Sequence, residues 1–277
     1  MVLLTIILLG CGPMNDNGLH HNYQQGVSEL NVVVLENLPP KKIFQNSDFS
    51  IVLQLDNQAA YPVTNGVVNL LGIDSTYYDV HTSSQSFQPL EGRSIISPNG
   101  DTIFLDFDAS AKELYQNAEK NEQNYFIKVQ YDSKMQFSDT ICINTDLYNL
   151  NNGGCLSEST KSYSGQGAPI AISRVEQITN PGSNKRIEFR FFIENRGSGK
   201  ILKATLTNSK LGTKEMPCIF QGMALHEFTK VFEPETQQVV LVCSKEISQS
   251  ESYQTTLSLS FDYVYELSKQ ERLTLVK

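Results

Sequence analysis

The sequence predicts an almost entirely β-structured protein, because apolar and polar residues alternate in one stretch after another. In DFSIVLQLDN, for example, Phe49, Ile51, Leu53 and Leu55 fall on one face, and polar residues occupy much of the other. The same period recurs at residues 103–107, 125–131, 187–193 and 257–263. Strands with one polar face are typical of antiparallel sheets, since parallel sheets are usually buried on both faces. The expected fold class is all-β, with antiparallel sheets.

One segment is expected to be helical. In SAKELYQNAEK, Ser110 and Glu113 have the spacing of a capping box, in which the two side chains satisfy the first free N–H groups of a helix. The sequence therefore predicts a helix over residues 110–120.

The chain also repeats its own layout. Near the start of each half stand VLQLDNQAAYPVTNGVVNLLG and FFIENRGSGKILKATLTN, in which a strand, an Asn and a loop precede a second strand. Each half closes on a tyrosine-bearing strand that is expected to run into a final hairpin, YFIKVQYDSKMQFSDTICI and YQTTLSLSFDYVYELSKQERLTLVK. Several short strands in a unit of about 100 residues indicate an immunoglobulin-like sandwich. We expect two in tandem, at residues 28–145 and 168–277, joined by a Gly-, Ser- and Asn-rich linker at 146–167.

A family resemblance rests on the loop of the second half. Residues 193–201, IENRGSGKI, resemble the adhesion-related CARDB-type immunoglobulin-like domains of microbial surface proteins. Asn57 and NGVVNLLG in the first half match the same pattern more loosely. The resemblance implies a β-sandwich fold and a place at the cell surface, and it implies no activity.

The first residues predict export and a lipid anchor. Val2–Leu9 is apolar apart from Thr5. This segment is too short to span a bilayer, but its length suits the apolar core of a secretory signal. Leu8-Leu9-Gly10-Cys11 resembles the lipobox of lipoproteins, which implies a signal peptide at 1–10 and an acylated Cys11. Residues 11–27 are then a lipidated cysteine and a polar stalk. This layout is similar to surface lipoproteins of uncultured archaea. The alternative is an ordinary signal that carries a cysteine, since the first positive residue is Lys41.

The cysteines support an exported protein. Five are present, so acylation of Cys11 leaves four that can pair. We expect the sequential pairs Cys142–Cys155 and Cys218–Cys243, which is one of three connectivities; reduced, buried thiols are the alternative. A metal site is not expected, because no C-x-x-C pair or suitably spaced His accompanies them.

The charge of the chain limits its partners. A net charge of −8 and a pI near 5.1 argue against nucleic acid, which requires basic surface to neutralise phosphates. Contact with the extracellular face of the cell membrane is therefore expected through the lipid anchor, with a protein or glycan as the other partner.

Motifs for catalysis are incomplete. The HE at residues 226–227 resembles a zincin start, but Lys230 stands where the second His is needed. RGSGK at 196–200 lacks the rest of a phosphate loop, and no G-x-S-x-G occurs. Asp101, Asp106 and Asp108 suggest calcium, but the last two share an outward face and no calcium-loop spacing is present. We expect no catalytic residue, cofactor or metal.

Three tyrosines are the candidate binding residues. Tyr61, Tyr77 and Tyr78 are expected in loops of the first half, where aromatic rings with polar tips suit protein or sugar surfaces. The alternative is that they cap the end of the core. The sequence thus favours a non-enzymatic surface lipoprotein whose two domains act as spacer or interaction domains. The alternatives are a solute- or glycan-binding protein and a subunit of an envelope or filament assembly.

Overall fold

The structure, a computed structural model, describes residues 22–115, 118–144, 155–180, 185–223, 227–232, 238–247 and 252–277. These residues form strands and no helix. The strands are β1 (Leu30–Val34), β2 (Ile43–Phe44), β3 (Asp48–Asn57), β4 (Thr64–Leu71), β5 (Tyr78–Val80), β6 (Ser84–Phe87), β7 (Thr102–Ala111), β8 (Lys120–Ile143), β9 (Thr160–Ser162), β10 (Ile170–Asn180), β11 (Arg186–Asn195), β12 (Lys200–Leu211), β13 (Lys214–Glu215), β14 (Cys218–Phe220), β15 (Thr229–Val231), β16 (Gln238–Glu246) and β17 (Tyr253–Val276).

The strands form three sheets, and one of them belongs to both halves of the chain. A four-stranded sheet, in the order β1-β3-β7-β5, comes from the first half, and a five-stranded sheet, β14-β16-β11-β10-β9, comes from the second. The third sheet has the order β13-β12-β17-β8-β4-β6, with β15 added on β12 and β2 added on β17. The protein is an all-β sandwich of mainly antiparallel sheets, as the sequence predicted. Buried residues of both halves form one contiguous apolar cluster.

Two long strands join the halves. β8 and β17 have 24 residues each and pair antiparallel over their whole length, from Lys120 with Val276 to Ile143 with Tyr253. At about 3.4 Å per residue each strand extends about 80 Å. The hairpins expected at the end of each half are therefore wrong, since the chain continues straight through Asp132-Ser133-Lys134. The Ser133 hydroxyl donates to the Pro62 carbonyl at 2.8 Å, and its two neighbours point outward.

The predicted alternation is confirmed in the core. Ile187, Phe189, Phe191 and Ile193 of β11 are completely buried, and the residues between them are at least partly exposed. Successive side chains of a strand point to opposite faces, so this period places one face of β11 against the shared sheet. The Phe137 ring of β8 packs edge-on against Phe191, with 6.0 Å between ring centroids.

The predicted helix at 110–120 is wrong over its described residues. Ser110 and Ala111 end strand β7, where they pair with β3 and β5. Beyond β7, the N–H of Lys112 donates to the Tyr77 carbonyl at 2.8 Å, and Leu114 is buried. A helix of this length is marginal by itself, so the tertiary contacts decide the conformation.

Parts of the predicted stalk and linker belong to the fold. At the end of the expected stalk, Gly26 forms a bridge with Gln166. From the expected linker, β9 adds a strand to the edge of β10. Gln166 is buried, and its side chain bonds both backbone groups of Ile172. Residues 146–154 of the linker lie outside the described residues, as does Cys11.

Disulfide bonding is confirmed, and the bonds join Cys142 to Cys155 and Cys218 to Cys243. The first attaches the end of β8 to the segment before β9. The second links residues that stand directly opposite each other on β14 and β16.

Both halves of the internal repeat form the same kind of turn, held by an Asn side chain. The Asn57 side chain accepts from the N–H of Ala59 at 3.1 Å and donates to the Tyr61 carbonyl at 2.9 Å. The Asn195 side chain likewise bonds the N–H two residues on, at 3.3 Å, and the carbonyl four residues on, at 2.7 Å. Each Asn ends a ten-residue strand, β3 or β11, and starts the loop to the shared sheet.

Candidate functional site: an open sandwich edge

One stretch of β17 has a strand neighbour on only one side. Its residues 257–266 pair with β12 and its residues 275–276 pair with β2, while β8 follows the opposite side throughout. Between these two neighbours, residues 267–274 pair with no strand of the described chain except β8. This stretch is about 25 Å long and leaves backbone N–H and C=O groups available. We call it the open edge.

The open edge borders a groove of about 620 Å³. Its other wall is β1, which pairs with β3 on one side. The apolar residues of the groove come from both walls and from β8: Val27, Leu30, Val32, Ile127, Val129 and Leu267. The polar residues are Ser28, Glu29, Asn31, Gln58, Arg196, Ser198, Ser268 and Lys269. The groove therefore combines an apolar lining with charged groups of both signs.

Glu29 fixes one end of the groove by joining the two halves. Its carboxylate accepts from the Ser198 N–H at 3.1 Å and from the Ser198 hydroxyl at 2.6 Å. A glycine is required next to this contact, because a Cβ on Gly197 would lie 2.3 Å from the Tyr265 hydroxyl oxygen. Burial, with the nearby Glu29 charge, raises the pKa of Tyr265. Tyr265 therefore stays neutral and donates to Asn195 at 3.3 Å while accepting from the Gly199 N–H at 2.8 Å.

Arg196 is held at the same end by the second half. Its guanidinium bonds the Glu194 carboxylate at 3.0 Å and approaches the Tyr163 and Ser164 carbonyls at 3.4 Å. Burial acts to raise the pKa of Glu194, but hydrogen bonds from Ser173, Arg196 and Gln238 outweigh it and lower that pKa. The positive charge of Arg196 is thus held in place by contacts outside the groove.

The open edge has charged residues at inward positions. Lys269 and Glu271 continue the inward series of β17 that runs through Tyr265 and Leu267, and their charged groups lie 3.1 Å apart. Burial and the Glu271 charge raise the pKa of Tyr125, whose hydroxyl has no hydrogen-bond partner among the described residues. Inward charges on an edge discourage indiscriminate pairing with apolar strands. Charges at two inward positions are the signal in the sequence that marks this site.

The corresponding edge of β8 is covered. β4 pairs with β8 as far as Asp132, and beyond it side chains bond to the edge. The Tyr61 hydroxyl bonds both backbone groups of Gln136, at 3.1 and 3.2 Å, and the Gln177 amide donates to the Cys142 carbonyl at 2.9 Å. Side chains therefore bond to the backbone of β8 beyond β4, whereas the described residues provide no such bonds to the open edge of β17.

Asp139 secures the cover of β8. Its carboxylate accepts from Lys161 at 2.6 Å and from the Tyr163 hydroxyl at 2.7 Å. Burial acts to raise the pKa of Asp139, but these hydrogen bonds outweigh it and hold the pKa below its ordinary value.

A second concave surface lies on the outer face of the shared sheet. It measures about 470 Å³ and carries Asp132, Lys134, Lys203 and Asp262. It is open and has charges of both signs, without a cluster that favours one ligand.

The three predicted binding tyrosines do not form an exposed group. Tyr61 and Tyr78 are buried, the first bonded to β8 and the second in β5 against Phe49. Burial raises the pKa of Tyr78 to about 12. Tyr77 is half-buried and packs edge-on against Tyr115. The placement of Tyr61 and Tyr78 matches the alternative, in which these rings complete the core.

The three carboxylates considered for calcium, Asp101, Asp106 and Asp108, do not share a common ligand arrangement. Asp101 accepts from the Glu91 N–H at 2.9 Å, Asp108 accepts from the Ser50 hydroxyl at 2.9 Å, and Asp106 is exposed. Within the described part of the chain, no three His, Cys, Asp or Glu side chains are grouped to hold a metal. His226 lies outside the described residues. Nor does any helix among them have the length and apolarity to cross a membrane.

Comparisons with known proteins give no family. No protein-family model matches the chain, and no curated protein does. Among solved structures it is similar to the E. coli chaperone DraB, at 12% identity over 83% of this chain and 86% of that one, with a TM-score of 0.21. A TM-score this low carries no argument about function.

Proposed function

We propose that the protein is an exported lipoprotein of the cell surface that binds a partner protein and catalyses no reaction. The observation that carries the proposal is the open edge of β17, with its groove of about 620 Å³. An unpaired edge recognises an extended backbone segment by adding it to the sheet as a strand. The partner is therefore a protein with an extended segment.

The contacts around the groove favour a selective partner. Backbone pairing along the edge supplies affinity for any extended chain, whereas side-chain contacts supply selectivity. Lys269 and Glu271 already neutralise each other on the inward face, and Arg196 and Glu29 define one end. A segment that alternates apolar residues with polar or charged ones fits this mixed lining better than a wholly apolar segment.

Two features support the surface location. The disulfides are typical of oxidising compartments, outside the reducing cytosol. The lipobox-like Leu8–Cys11 supplies the proposed anchor. The shared sheet suits a spacer as well, because it joins both halves through two unbroken strands.

Photo-crosslinking at the open edge tests the proposal. A photoreactive residue replaces Ser268, an exposed residue of the open edge, in the full chain within host cells. The matched control replaces Ser258, which has strand neighbours on both sides. We expect a discrete adduct at position 268 and none at position 258.

The mass of the adduct identifies the partner. A product at twice the chain mass assigns a second copy and therefore an assembly, and any other mass assigns a different protein. Equal labelling at both positions, or none at position 268, refutes the edge as the binding surface.

A further inference from the structure

The two most exposed large apolar side chains of the described residues are neighbours in sequence. Ile95 and Ile96 lie in the segment between β6 and β7 and are 85% and 97% exposed. Isolated apolar residues are ordinary on a protein surface, but an adjacent pair with nearly complete exposure indicates a contact site. No charged residue occurs in SIISPNG, residues 94–100, which we call the apolar tip.

The apolar tip is held by its own hydrogen bonds. The Ser94 N–H donates to the Ser97 carbonyl at 2.9 Å, and the Ser94 hydroxyl accepts from the Ser97 N–H at 3.0 Å. At the base, the Arg93 guanidinium donates to the Pro98 carbonyl at 2.9 Å, and the Arg93 N–H donates to the Ala59 carbonyl at 2.7 Å. These bonds present both isoleucines in a fixed turn, so little order is lost when they are buried.

The apolar tip stands beside the point where the chain arrives from its N-terminal segment. The Arg93 guanidinium lies 5.1 Å from the centre of the Tyr23 ring. The backbone of Tyr23 packs closely against Gly167, because a Cβ on Gly167 would lie 2.1 Å from the Tyr23 carbonyl oxygen. From Cys11 to Tyr23 the chain can span at most about 40 Å. A lipid on Cys11 therefore keeps Tyr23, and with it the base of the apolar tip, within about 40 Å of the bilayer surface.

From these positions we infer that Ile95 and Ile96 insert into the lipid surface to which Cys11 is anchored. The inference rests on the proposed lipid anchor. A single acyl chain holds a protein only marginally, and a second membrane contact makes the attachment stable. Insertion of an uncharged turn also suits a chain with net charge −8, which gains nothing from anionic headgroups. The membrane then lies beside the junction of the two halves.

The absence of tryptophan from the chain permits a direct test. Ile96→Trp places a single reporter in the apolar tip, and Val231→Trp places one at another exposed position, 65% exposed on β15. Each full-length variant is purified from the host membrane and reconstituted in phosphatidylcholine vesicles with and without brominated acyl chains. We expect blue-shifted emission and strong quenching by brominated lipid for I96W, and water-like, unquenched emission for V231W.

Each result decides a separate point. An intact mass of the same preparation reports whether Cys11 carries lipid. Lipidated protein whose I96W emission is no more quenched than that of V231W overturns the insertion and leaves the anchor standing. Protein without lipid overturns the anchor, and the insertion that rests on it falls as well.

A second variant measures the contribution of the apolar tip. Replacing both isoleucines with serine removes buried methyl and methylene groups, each of which strengthens membrane partitioning. For the lipidated full chain, this double change is expected to weaken binding to phosphatidylcholine vesicles by about tenfold or more. Unchanged partitioning, with an unchanged circular dichroism spectrum, would also refute the inference.

Discussion

Replacing Asn57 with alanine is expected to destabilise the protein by about 3 kcal/mol. Asn57 is completely buried, and its side chain makes three hydrogen bonds, to the Ala59 N–H and to the carbonyls of Tyr61 and Leu90. The Leu90 carbonyl keeps a second donor, the Val63 N–H at 2.9 Å. The main cost therefore comes from the Ala59 N–H and the Tyr61 carbonyl, each of which costs about 1–3 kcal/mol when buried without a partner.

The internal repeat provides the matched control. Asn195 makes the same two turn bonds but is only partly buried, so water can replace its side chain. The Tyr265 hydroxyl loses one acceptor in Asn195→Ala and keeps its bond from the Gly199 N–H. We expect this variant to cost about 1 kcal/mol, which leaves a difference of about 2 kcal/mol between the two sites.

Urea unfolding followed by far-ultraviolet circular dichroism measures both costs. The halves share β8, β17 and one apolar cluster, so a single cooperative transition is expected for the wild-type chain. The midpoint of N57A should fall well below that of N195A at a similar slope. Equal costs at the two sites, or a larger one for N195A, would refute the assignment of the penalty to buried backbone groups.

Three further predictions concern the disulfide, a glycine and a carboxylate. Replacing Cys142 and Cys155 together with serine should cost about 3 kcal/mol in urea unfolding, from the loop-closure entropy of 13 residues of separation; no loss would contradict that account. Gly66→Ala should cost about 2 kcal/mol, because its Cβ would lie 2.0 Å from the Phe87 ring. Phe87→Leu should remove most of that penalty in a double-mutant cycle, and strict additivity would count against the clash. The pKa of Asp139 is lowered in the folded state, so the stability that this carboxylate contributes is present above its unfolded-state pKa and is lost as pH falls through its folded-state pKa. Asp139→Asn should therefore reduce the loss of unfolding free energy at acidic pH. An unchanged loss would refute the contribution of Asp139.

The fold class could be predicted from local patterns because alternation is a local property. Ile187 to Ile193 alternate with polar residues whatever the partner strands are, so their burial follows from the period alone. The five cysteines suggested two disulfides in the same way, since acylation of Cys11 leaves an even number. Neither inference required a long-range contact.

The sharing of one sheet could not be predicted, because it depends on pairing between distant residues. Asp132-Ser133-Lys134 has the composition of a turn, and the sequence gives no local sign that β17 lies alongside it. Pairing over the full length of β17 overrides that turn preference. The same competition converts the predicted helix start at Ser110 into the end of β7.

The candidate site was missed because its parts are ordinary one at a time. Glu29 and Ser198 are separated by 169 residues, and only the fold brings them together. Lys269 and Glu271 were accessible to sequence reasoning, since both stand at positions that the alternation of β17 assigns to the interior. A charge at such a position indicates an edge, where its head group can still reach water.

The difference between the two long edges argues that the open edge of β17 is more than a consequence of the fold. β4 covers residues 126–132 of β8 and β12 covers residues 257–266 of β17, so the corresponding stretches that follow them are residues 133–143 of β8 and 267–274 of β17. On β8 that stretch is bonded by Tyr61 and Gln177 and is tied down by the Cys142–Cys155 disulfide. On β17 the described residues provide no such cover, and the stretch borders a groove with charges at its end. An edge left open by topology alone would be open on both strands. Because the chain covers one and leaves the other available, the open edge is the part of the fold at which we expect a partner to bind.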